Sequence, residues 1–61
     1  MSFSLSDATT RLNSLQFNDQ EKGQLKAQLM KLNSEQLYFL FNDDDETVTA
    51  SLAYLLKGHL F

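Results

Sequence analysis

The 61-residue chain has no cysteine, no proline and no tryptophan, and only two glycines and one histidine. Each scarcity excludes something. Without cysteine no disulfide can staple the fold, which removes the disulfide-scaffold class of small secreted domains. One histidine and no thiol leave a structural zinc site almost without ligands. Two glycines, Gly23 and Gly58, are too few and too far apart for a Gly-rich phosphate loop. Basic residues are also scarce: five against eight acidic, for a formal net charge of −3. That balance argues against a nucleic-acid partner, which needs a basic stripe to neutralise phosphates. It argues equally against anionic membrane surfaces. The longest apolar run, Leu37-Tyr38-Phe39-Leu40-Phe41, is far short of the roughly twenty residues that a membrane span needs. The first residues carry no basic n-region and no apolar h-region, so no signal peptide is expected. A soluble, cytoplasmic protein is the expectation.

What the chain does have is apolar mass. Hydrophobic residues make up 43% of it, with five phenylalanines and two tyrosines among them. A domain this small buries only about 60% of the surface its unfolded chain exposes. Few of its leucines and phenylalanines can therefore be left in water, and a self-partner or foreign partner is the natural cover for any surplus.

With so few backbone breakers, the loops must be short and made by cap residues. Four cap signals divide the chain. Ser4-Leu5-Ser6-Asp7 opens a helix over about 5–15, with Leu5, Ala8, Leu12 and Leu15 at helical spacing; Ser6 is an alternative cap. Asn18-Asp19-Gln20-Glu21 opens a second over about 19–32, with Leu25, Leu29 and Leu32 as its seam and Ala27 and Met30 widening it. Asn33 and Ser34 prefer caps to helix interiors, so a break precedes a short third helix over about 35–42, with one continuous helix as the alternative. The Leu37–Phe41 run also suits a buried strand, but its length and cap favour helix. Asp43 as N-cap puts Asp44, Asp45 and Glu46 in the first turn of a fourth helix over about 44–57. Val48, Leu52, Leu55, Leu56 and His59 line its apolar face, and Gly58 supplies a left-handed stop. Thr47 to Leu52 alternates like a strand, yet the flanking signals make helix the better reading. Phe17-Asn18-Asp19 and Phe41-Asn42-Asp43 repeat one pattern, which shared capping chemistry explains better than duplication.

The chemical constellations reduce mostly to structure. The Asp43–Glu46 cluster lacks the glycine and ligand spacing of a calcium loop and reads as an acidic helix start, with a secondary role as an acidic patch for a basic partner. His59 has no nucleophile elbow to serve and reads as a helix-end cation. Lys22 and Lys26 lie among Gln20, Glu21, Gln24 and Gln28 and read as a solvated face. The segment Asp43 to Ala53 resembles the acidic-start, Val-x-x-x-Leu-Ala second helix of HEAT-like repeats. The resemblance covers one helix, and a single unit cannot form a solenoid.

These readings converge on an all-α fold: one domain over 1–61, four short helices packed as two helical hairpins. No catalytic residue, metal site or cofactor is expected. The expected function is a protein–protein interaction module, a small adaptor, regulator or inhibitor of a larger protein. An acidic mimic that blocks a nucleic-acid site is the alternative. The expected partner-binding residues are Tyr38, Phe39, Leu60 and Phe61, with Asp43, Asp44, Asp45 and Glu46 steering a basic partner. A homodimer through the third helix and the tail is also expected, with the second helix as the alternative contact.

Overall fold

The computed structural model of the chain describes residues 3–58. They form four helices: α1 (Leu5–Asn13), α2 (Asp19–Leu29), α3 (Ser34–Phe41) and α4 (Asp45–Leu56). No strand occurs among the described residues. The hairpin α1–α2 packs on the hairpin α3–α4, with α1 against α3 and α2 against α4. None of the four helices is long and apolar enough to cross a membrane.

Every helix starts on a side chain that accepts the N–H three residues on. The Asp7 N–H donates to Ser4 Oγ at 3.1 Å and the Glu21 N–H to Asn18 Oδ1 at 2.8 Å. The Gln36 N–H donates to Asn33 Oδ1 at 2.8 Å, and the Thr47 N–H to Asp44 Oδ1 at 2.8 Å. In the first three helices the N3 side chain also accepts from the cap's own N–H, closing a capping box. These bonds satisfy donors that a helix start otherwise leaves bare.

The structure shifts several boundaries, α3 and α4 by one residue at each end. α1 and α2 stop at Asn13 and Leu29, short of the expected ends at 15 and 32. In each case the chain tightens into bonds to the third residue back: Leu15 N–H to the Leu12 carbonyl, Leu32 N–H to the Leu29 carbonyl, both at 3.1 Å. The break between α2 and α3 is real, because Asn33 and Gln36 close a capping box there. The cap of α4 is Asp44 rather than Asp43. Consequently Phe41-Asn42-Asp43 does not repeat the role of Phe17-Asn18-Asp19: Asn18 opens α2, whereas Asn42 closes α3. Gly58 does take a left-handed φ of 89°, as its place after the last helix requires.

The core is drawn from all four helices. Ala8, Leu12, Leu25, Leu29, Leu37, Leu40, Phe41, Val48, Leu52 and Leu55 are buried, with Leu15 just beyond α1. Phe3, Phe17, Leu32 and Leu56 pack partly buried against them. Leu5, Ala27 and Met30, expected on apolar faces, are exposed instead. The narrow contact between short helices covers only the central stripe of each. Phe3 stacks on Phe41 with ring centroids 5.6 Å apart. Its N–H donates to Ser34 Oγ, and the Ser34 hydroxyl donates to the Phe3 carbonyl, both at 3.1 Å. The segment before α1 is thereby tied to the start of α3.

A pair of adjacent substitutions tests this packing. Leu29 is fully buried and Met30 is 70% exposed. Leu29→Ala should cost about 2–5 kcal/mol, against a total stability of roughly 3–9 kcal/mol for a domain of this size. Met30→Ala should change stability by no more than about 0.5 kcal/mol. Urea unfolding followed by circular dichroism reads both, and equal losses would contradict the assigned helix phase.

Candidate functional site

Two places combine exposed chemistry with built geometry: the turn between α3 and α4, and a groove beside it.

The turn is organised by Arg11 on α1, the only arginine in the chain. Its Nε and Nη2 donate to Asp45 Oδ1 at 3.1 and 2.9 Å. Nη1 donates to the Phe41 carbonyl at 3.0 Å, and Nη2 also donates to the Asp43 carbonyl at 2.8 Å. One planar cation thus caps the last turn of α3, holds the loop and pairs with the first turn of α4. Sequence reasoning missed it. The available signal was a lone arginine on the first helix facing an acidic cluster 32 to 35 residues away.

Asp44 accepts from the Thr47 N–H, and that bond first, then the Thr47 hydroxyl, holds its carboxyl below the ordinary aspartate value of 3.8. Desolvation opposes the shift, and the positive charge of Arg11 adds to it.

The acidic cluster therefore divides. Asp44 is a cap and Asp45 is an ion-pair partner. Asp45 and Glu46 border a shallow hollow of about 370 Å³ beside the α1–α2 loop, with Ser14, Leu15, Gln16 and Thr49. Asp43 turns instead to the opposite feature, the groove between α2, α3 and α4, about 740 Å³ in volume. Leu32, Phe39, Leu40 and Leu55 form its apolar surface; Gln28, Gln36, Ser51, Lys31 and Asp43 supply polar edges, and Gly58 completes it. The Gln28 amide donates to the Leu55 carbonyl at 3.3 Å and so ties α2 to α4 at the wall.

Of the expected partner-binding aromatics, Phe39 is 76% exposed and lines the groove. Tyr38 is half-buried and does not line it. Leu60, Phe61 and His59 lie outside the described residues. The groove thus brings together Phe39 and Asp43, and it separates them from Asp44, Asp45 and Glu46. Its charged lining among the described residues consists of Lys31 and Asp43, on either side of α3 in the chain. Searches of family models, curated proteins and solved structures found no match to the chain.

Arg11→Met should cost about 1–2 kcal/mol, because the part-buried Phe41 carbonyl loses a charged donor, whereas Asp45→Asn should cost well under about 1 kcal/mol, as for an exposed pair. A double-mutant cycle by thermal unfolding checks the inequality; equal single losses would assign the strength to the ion pair alone. For Asp44 the folded-state pKa lies below the unfolded one, so its stabilisation is present above 3.8 and is lost as pH falls through the folded value. Asp44→Asn keeps a good cap but should flatten the fall in melting temperature between about pH 5 and 2. An unchanged slope would remove Asp44 as its source.

Proposed function

We propose that the chain is a protein–protein interaction module, a small adaptor, regulator or inhibitor that docks a larger protein through the α2–α3–α4 groove. The observation that carries this reading is Phe39, a phenylalanine 76% exposed that lines the groove together with Leu32, Leu40 and Leu55. Aromatic side chains in contiguous apolar surface are what interface cores are made of. A binding role rather than catalysis fits the groove's chemistry. Its lining is mainly apolar and amide side chains with one charge of each sign, Lys31 and Asp43, as in a protein interface.

The rival reading, an acidic mimic of nucleic acid, draws on the Asp43–Glu46 cluster. Two of those carboxylates are engaged within the fold, Asp44 by the α4 N-terminus and Asp45 by Arg11. That favours the apolar groove as the docking surface.

The test is capture from a cell extract by the immobilised chain and by its Phe39→Asp variant, in low and high salt. A protein held by wild type, lost on the variant and retained at about 0.5 M salt is the expected result, since apolar contact is little screened. Equal capture by both chains, or binding that collapses with salt as phosphate-like recognition does, would overturn the groove reading.

A further inference from the structure

The groove differs from a general apolar patch in carrying an exposed ring together with charges of both signs. It contains a projecting ring, Phe39, and a recess beside it of about 740 Å³. It also carries one cation and one anion. Lys31 stands three residues before α3 begins at Ser34, and Asp43 two residues after α3 ends at Phe41. The charges therefore flank the helix at opposite ends. Neither side chain has an ion-pair partner among the described residues.

We infer that the partner this groove fits first is a second copy of the chain, related by a two-fold axis across α3. Such an axis runs the two α3 helices antiparallel. It sets Lys31 of each copy against Asp43 of the other, and it does so twice. Phe39 lies just past the middle of α3, so both rings approach the axis and each enters the other copy's recess. An isologous interface uses one patch twice and therefore demands that the patch be self-complementary in shape and charge. The groove's lining supplies both signs of charge and one exposed ring, the elements that such a patch would use. A standard interface takes roughly 800 Å² from each partner, about a fifth of this chain's 4307 Å² of accessible surface. The groove would form the centre of such a patch, with the flanks of α2 and α4 as its rim.

The inference rests on the groove being a docking surface and names its occupant in the purified protein. The experiment uses the full chain alone, by sedimentation equilibrium at tens of micromolar, with circular dichroism to confirm that each variant is folded. Wild type should be dimeric, and Phe39→Asp monomeric. Lys31→Asp and Asp43→Lys should each dimerise at least tenfold more weakly, because each places like charges across the axis. Mixing K31D with D43K in equal amounts should restore a dimer, with both cross-pairs complementary, and so should the two substitutions in one chain. A monomeric wild type overturns the inference, as does a dimer indifferent to the charge changes or a mixture that stays monomeric. A monomeric wild type leaves the docking of a foreign protein to the capture experiment, which is read separately.

Discussion

The α3–α4 turn is the point on which the rest of the fold depends, and a single guanidinium from another helix holds it. Arg11 donates to two carbonyls and one carboxylate there. The turn has no glycine or proline to set its path. Its geometry is imposed from α1 instead. Phe41 immediately before it and Val48 shortly after it both enter the core, so the position of the turn decides how the second hairpin meets the first. The same turn sets Asp43 at the wall of the groove. Core, clamp and groove are three consequences of one placement.

The use of side chains in place of special backbone runs through the molecule. Each of the four helices begins on a Ser, Asn or Asp acceptor. The Lys22 ammonium donates to the Asn13 carbonyl at the end of α1, where a cation also suits the helix dipole. The only positive φ among the described residues belongs to Gly58. A chain poor in turn formers can still reverse three times when polar side chains take the orphan groups of the helix ends.

This explains what could be read from the sequence. Caps are local, so Asn18 is legible from its next three residues, while Ser4 against Ser6 and Asn33 against Ser34 are legible only as pairs of candidates, of which the fold uses Ser4 and Asn33. The fourth cap was displaced by one, since Asp43, Asp44 and Asp45 are each competent acceptors. In the fold Arg11 holds the Asp43 carbonyl and the Asp45 carboxylate, and Asp44 caps the helix between them. That contact joins residues more than thirty apart, and no local pattern encodes it. The Leu37–Phe41 run was likewise legible as apolar but not in phase. Only the start of α3 at Ser34 turns Leu37, Leu40 and Phe41 inward and leaves Tyr38 half-covered and Phe39 out.

The exposure of Phe39 then calls for a reason outside the fold. Single exposed apolar residues are ordinary, and Met30 is one, since it does not line the groove. Phe39 differs because its ring continues an apolar surface that includes buried Leu40 and Leu55 and half-buried Leu32. A polar residue at that position would leave the core of α3, carried by its three inward residues, intact. It would also relieve the chain of a ring in water, which costs solubility. Nothing in the intramolecular packing requires phenylalanine there. On the proposed reading, its presence serves a contact that the isolated fold does not make, through the groove that it lines.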